Sequence, residues 1–259
     1  MKVIVVVSEK DEAGMCISKF LENVKSIDEE PIYYNEKIEA DLIIFATKHA
    51  SKQGHPAFCC HTSGNWGNNE LGGDKNSFSI APAFLLRETL IRLQKYEREI
   101  FQEVTHHGPT IEIPSLFIEI GSTKEEWIKE ENGKIIADVI KELIEILKPF
   151  KTYKDFEEYY RKKNNIQVAI AVGGLHHTPN FKKHIINGEI AIGHGCAKYN
   201  LEDFSEETLE KAIKATAEKI DLIVVDWKGL GQYKQKVSEI LNKKNLKWKK
   251  SKEIISSLP

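Results

Sequence analysis

The chain has 259 residues, 29 % of them charged, and a formal net charge of −2. That length can bury a full core as one large α/β domain or two small ones, and the charge balance singles out no class of partner. No stretch approaches the ~20 consecutive apolar residues needed to cross a membrane.

The opening run VIVVV (3–7) is too short for the apolar region of a leader peptide and reads as a first buried strand. A helix is expected over 12–25 and a strand over 41–46 (DLIIFA), with His49 three residues beyond Ala46. Strand 57–61 (AFCCH) closes on His61 inside a long connection, 49–82, rich in Gly, Asn and His. Helix 82–98 follows, then strand 99–105 (EIFQEVT), the His106-His107-Gly108-Pro109 break, and strand 115–121 (SLFIEIG). Helices are expected over 134–148 and 153–163. Strand 167–172 (QVAIAV) then runs directly into GGLHHTPNFKKH (173–184). The remaining elements are strand 189–193 (EIAIG), helix 205–219 capped by Ser205, strand 221–225 (DLIVV) and helix 231–243.

Several of these strands are continuously apolar, as strands covered on both faces are. The alternation of strand and helix argues for a three-layer α/β sandwich around a mostly parallel, mixed sheet. With no linker or repeat, residues 1–259 are expected to form a single domain and a monomer.

Seven of the nine histidines fall at or just past strand ends: His49, His61, His106, His107, His176, His177 and His194. If the strands are parallel, their loops share one rim of the sheet, where ligands of open α/β sheets bind. Adjacent residues on a strand point to opposite faces, so one member of each His pair is expected to reach a common point unless the backbone turns. Gly108-Pro109 encourages such a turn. Glu119 lies between isoleucines, and a buried carboxylate costs several kcal/mol unless paired or metal-bound. Alternation places Glu103 on one face with Thr105 and His107, and Asp226 ends a strand at the same rim. Imidazoles with carboxylates, and no clustered thiols, suit Zn²⁺ or another divalent ion that activates a water.

Other chemistries lose ground. There is no G-x-G-x-x-G, P-loop or G-x-S-x-G sequence. Cys16, Cys59, Cys60 and Cys196 have no disulfide-framework spacing, and reduced thiols in the cytoplasm are expected. Segment 228–252 carries nine lysines against one glutamate and reads as a basic C-terminal tail able to meet phosphates. Truncation after residue 242 is expected to spare the sheet. Further basic groups are Arg161–Lys163 and Lys182-Lys183-His184.

The motifs HTSGN (61–65), EVTHHGPT (103–110), FIEIGS (117–122), GGLHHTPNF (173–181) and GHGCAKY (193–199) together resemble the archaeal and plant type of D-aminoacyl-tRNA deacylase. The N-terminal strand and DLIIFATKHAS fit as well. The resemblance implies a fold like phosphorylases and peptidyl-tRNA hydrolases, zinc dependence, and hydrolysis of the ester joining a D-amino acid to the 3′ end of tRNA. Where the family usually carries Tyr and Pro-Arg, this chain has His177 and Pro179-Asn180.

On this reading His106, His176 and His194 are expected to bind the metal, with Glu119 as ligand or general base. His61 and Glu103 stand behind them, and Thr105 or the backbone of HTSGN (61–65) is expected to position the substrate. A terminal ribose hydroxyl of tRNA assisting the reaction is an alternative mechanism. The alternative functions are a zinc-dependent peptidase or amidase of similar fold, and a non-catalytic RNA-binding protein.

Overall fold

A computed structural model describes residues 1–254 apart from Gln53, Glu189 and Asn245. The strands are β1 (Val3–Ser8), β2 (Lys25–Ile27), β3 (Leu42–Ala50), β4 (Ala57–His61), β5 (Gly64–Asn65), β6 (Ser77–Phe78), β7 (Glu99–Gln102), β8 (Ser115–Ser122), β9 (Gln167–Val172), β10 (Ile190–Cys196), β11 (Leu222–Val225) and β12 (Trp248–Lys250). The helices are α1 (Glu12–Ser18), α2 (Ala83–Leu93), α3 (Lys124–Trp127), α4 (Glu130–Leu147), α5 (Tyr153–Asn164), α6 (Pro179–Ile186), α7 (Glu206–Lys214) and α8 (Lys234–Lys243).

The expected α/β alternation is present, but not as one sheet. Six strands form a first sheet in the order β2-β1-β3-β8-β4-β7, and four form a second in the order β10-β9-β11-β12. The second is parallel throughout. The first is mixed, because β4 runs antiparallel to β8 while β7 follows β4 in parallel. Helix α2 packs against β4, β7 and β10 and so spans the junction of the two sheets.

Period-two alternation sorts the side chains of the first sheet. Leu42, Ile44, Ala46, Phe58, Cys60, Leu116, Ile118 and Ile120 join the core beneath the helices. Their odd-numbered neighbours, from Ile43 and Phe45 to Phe117, face the other way. The site is built on that opposite face.

Several expected elements end early or late; helix 82–98, for one, stops at Leu93. Asp11 caps α1 through Gly14 N, yet the helix stops at Ser18, and Asn23 in left-handed backbone (φ 57°) leads into β2. Strand 99–105 stops at Gln102, since Val104 N and Thr105 N turn to the carbonyls of His176 and Gly195 across the sheet junction. Helix 205–219 begins as expected, with Ser205 and Thr208 capping each other's backbone, and ends at Lys214. The strand expected over 189–193 runs over Ile190–Cys196, with Glu189 outside the described residues.

The expected tail is also corrected. Residues 234–243 form α8, and β12 pairs in parallel with β11 as an edge of the second sheet. Leu246 and Trp248 pack against that sheet's core. A cut after residue 242 would therefore remove part of the sheet.

Candidate active site

Register places the first components side by side. Glu119 in β8 is opposite Thr47 in β3 and Cys59 in β4, so the three side chains form a row on one face. Thr47 Oγ1 donates to Glu119 Oε1 at 2.8 Å, and Cys59 Sγ donates to Glu119 Oε2 at 3.4 Å. Two residues along, on the same face, come His49 in β3 and His61 in β4. His49 lies opposite Gly121, where a Cβ would come within 2.8 Å of the His49 ring; only glycine leaves room for it. His61 stacks on Phe117 with ring centres 5.0 Å apart.

Glu103, just past β7, enters the same row from the edge. Its amide donates to Cys60 O, which continues the pairing of β7 with β4. His176 Nε2 lies 2.8 Å from Glu103 Oε1, and His49 Nδ1 lies 3.3 Å from it. His61 Nε2 is 3.6 Å from Glu119 Oε1. Glu103 is 3 % and Glu119 4 % exposed, so both carboxylates depend on these partners. Burial raises the pKa of Glu103. Hydrogen bonds from His176 and His49 outweigh it and hold the group well below the usual range. The same opposition, with His61 as main partner, lowers Glu119. Burial and the two carboxylates push the Cys59 thiol well up, so it remains a donor.

Loop histidines cover this row. His107 adopts left-handed backbone (φ 46°), and the turn brings both rings of the pair over His61, with centres 4.4 Å (His106) and 4.8 Å (His107) away. The expectation that only one of the two reaches the common point thus gives way to a turn. His106 Nδ1 is 2.9 Å from Val104 O. A carbonyl can only accept, so this nitrogen carries the proton and Nε2 keeps its lone pair. Burial, reinforced by His107 and His61, lowers the His106 pKa well below the ordinary imidazole value. Burial and His61 bring His107 down to about 4. Both rings are neutral at neutral pH.

His176 sits between two partners, with Nε2 toward Glu103 and Nδ1 2.6 Å from Tyr199 OH. Nδ1 is engaged by the tyrosine hydroxyl, which leaves Nε2 facing the carboxylate. His177 stacks on Phe101 with ring centres 3.9 Å apart and lies farther from Glu103, at 3.8 Å.

Not every expected residue joins the cluster. His194 is buried, with Nδ1 3.0 Å from Thr105 Oγ1 and Nε2 3.0 Å from Ala215 O, so neither nitrogen is left for a metal. Thr105 is spent on the same junction, accepting also from Gly195 N. Asp226 lies past β11, where Oδ2 accepts from Asn180. The shared-rim expectation fails for the first sheet because β4 opposes β8: the histidines converge on a sheet face.

Sequence reasoning missed Thr47, Cys59 and Tyr199, and gave His49 and His107 no role. Continuing the alternation of β3 past Ala46 would have placed Thr47 and His49 beside Glu119; Tyr199 left no comparable trace.

Two clefts open on the cluster, of about 230 and 390 Å³, and His106, His107, His176 and Leu71 form the wall common to both. Three groups of side chains could each hold a metal ion: His61, His106 and His107; Glu103, His106 and His176; and His49, Cys59, Glu103 and Glu119. The buried Nε2 atoms of His49 and His61 have no hydrogen-bond partner among the described residues. Neutral imidazoles beside carboxylates can take a proton from water or ligate a borderline divalent ion.

A sequence model of the family described as D-aminoacyl-tRNA deacylase matches residues 36–249. The D-aminoacyl-tRNA deacylases of Pyrococcus horikoshii and Thermococcus kodakarensis are each 36 % identical over 219 residues, covering 80 % of this chain and 75 % of theirs. That of Pyrococcus furiosus is 32 % identical over 239 residues, covering 87 % of this chain and 82 % of its own. Among solved structures, a conserved protein of unknown function superposes with a TM-score of 0.82 at 28 % identity, over 98 % of this chain and 96 % of that one.

Proposed function

The chain belongs to the D-aminoacyl-tRNA deacylase family, and we propose that it cleaves the ester between a D-amino acid and the 3′ end of tRNA at the cluster of Glu103, Glu119, His106 and His176. The observation that carries this reading is His106. Its ring is neutral and half-buried, its proton is committed to Val104 O, and Nε2 is left as a base in the wall between two clefts.

Ester hydrolysis needs a proton taken from attacking water and returned to the departing ribose oxygen. His106 Nε2 takes the proton as water adds to the ester carbonyl. The resulting imidazolium is stabilised by Glu103. Collapse of the tetrahedral intermediate breaks the bond to the ribose oxygen, and the proton passes to that oxygen, giving free D-amino acid and tRNA. Tyr199 holds His176 through Nδ1, so its Nε2 points toward Glu103. Glu119, held by Thr47 and Cys59, faces His61 Nε2 at 3.6 Å.

The donor set also fits Zn²⁺: nitrogen and carboxylate atoms converge, and two buried imidazole nitrogens lack partners. Glu103, His106 and His176 would hold the ion, with His61 and Glu119 nearest to that set, and His106 Nε2 would then be a ligand in place of its role as base. Bound zinc lowers the pKa of a water and polarises a carbonyl. The carbonyls that fix Nδ1 of His106 and His107 then serve to aim Nε2 of each ring.

The test is release of D-tyrosine from D-Tyr-tRNA, with L-Tyr-tRNA alongside and a chelator arm. The reading expects release from the D-ester alone, lost in chelator and restored by zinc. Full activity in chelator overturns the metal assignment. No release under any condition overturns the reaction.

A further inference from the structure

Six of the nine lysines of segment 228–252 fall into two groups. Lys236 donates to the carbonyls of Leu201 and Glu202, and Lys243 and Lys244 pair with Glu206 and Glu210. Lys228, Lys250 and Lys252 instead line a pocket of about 510 Å³ together with Lys183 of α6. Lys183, Lys228 and Lys252 are exposed and make no ion pair among the described residues. Lys250 is held over the Trp227 ring, 4.8 Å from its centre, with its Nζ 4.0 Å from Glu253 Oε1.

The pocket lies past the C-terminal ends of β9, β11 and β12, where parallel sheets place their ligand crevices. Its one carboxylate among the lining residues, Asp226, is already occupied by the Asn180 amide at 2.7 Å. His184 is a second, independent feature. It lines the pocket, is only 3 % exposed, and neither ring nitrogen has a hydrogen-bond partner among the described residues. A buried, unpartnered imidazole beside four ammonium groups is unfavourable unless something accepts from it.

We infer that this pocket, built from Lys183, Lys228, Lys250, Lys252 and His184, binds the backbone phosphates of the tRNA acceptor end, with the ester carried on to His176. This rests on the proposed deacylase reading. The loop geometry supports it. His176 and Pro179, at the pocket wall, are three residues apart and so no more than ~10–11 Å along the chain. One short loop thus joins the pocket wall to the histidine wall.

The test is the double variant Lys228→Ala/Lys252→Ala, both residues being exposed. Deacylated tRNA binding is measured against salt, and hydrolysis is measured with D-Tyr-tRNA and with the D-tyrosyl ester of adenosine. The dependence of log affinity on log salt should flatten by about 1.4–1.8, at ~0.7–0.9 per lost phosphate contact. The KM for D-Tyr-tRNA should rise with kcat unchanged, and the adenosine ester should be cleaved as before. Lys134→Ala/Lys141→Ala on α4 should alter neither binding nor salt slope. A folded double variant with wild-type tRNA affinity and slope overturns the inference. So does loss of binding to poly-glutamate with tRNA binding intact, which assigns the pocket to an acidic protein. The tRNA-binding arm decides the pocket even if no ester is hydrolysed.

Discussion

His176 Nε2 lies 2.8 Å from Glu103 Oε1, joining a loop that follows β9 of the second sheet to a carboxylate that follows β7 of the first. The contact closes the wall of the clefts over the row of Thr47, Glu119 and Cys59. Glu103→Gln keeps the shape of this side chain but removes the charge that aligns His176 and His49. Turnover of D-Tyr-tRNA should fall by on the order of a hundredfold or more, with circular dichroism unchanged. A folded variant at wild-type rate would remove Glu103 from the chemistry.

The purified protein should carry a divalent ion. Three donor groups converge around Glu103 and His106, and the two unpartnered imidazole nitrogens lie beside them. Elemental analysis should find close to stoichiometric metal, which His176→Ala should reduce. An ion content equal in both proteins would place the metal elsewhere.

The pH dependence of stability follows from His194. Burial lowers its pKa to about 4, against ~6.5 for a free imidazole. Below pH ~6.5 the unfolded chain takes up the proton and the folded chain does not. The stabilisation is therefore complete above that pH and is lost as pH falls toward 4, by at most about 3 kcal/mol. Denaturant unfolding at pH 7 and pH 4.5 should show a smaller loss for His194→Asn than for the wild type. Equal losses would mean that His194 is not held neutral by burial.

Much of this was legible in the sequence because strand residues repeat every two positions. The continuous apolar runs placed eight strands correctly to within a few residues, and Glu119 stood out as a charge between isoleucines. Strand direction was not legible. Nothing in AFCCH says that β4 opposes β8, yet that reversal puts His61 and Glu119 on a shared face. The break of the sheet at Gln102 was equally hidden, since it depends on carbonyls of His176 and Gly195 more than 70 residues away. His194 reads like the other strand-end histidines; only its hydrogen bonds to Thr105 and Ala215 set it apart. The lysines of 228–252 looked like a solvated tail because β12 is three residues long and takes its stability from Trp248 against Trp227.

Truncation after residue 242 should accordingly lower stability as well as tRNA binding. It strips β12 from β11 and removes Leu246 and Trp248 from the core of the second sheet. Burying a side chain of that size contributes ~1.5–3 kcal/mol when complete, so a loss of roughly 2–4 kcal/mol is expected for the partly buried pair. A truncate with wild-type Tm would show that β12 adds nothing to the sheet.

The most direct test of the whole account is single-turnover hydrolysis of D-Tyr-tRNA by His106→Ala, with the fold verified and the enzyme in excess. The account predicts a fall of about a hundredfold or more, the loss expected for one acid–base group, with tRNA affinity retained because the basic pocket is untouched. A folded His106→Ala protein that releases D-tyrosine at the wild-type rate would contradict it.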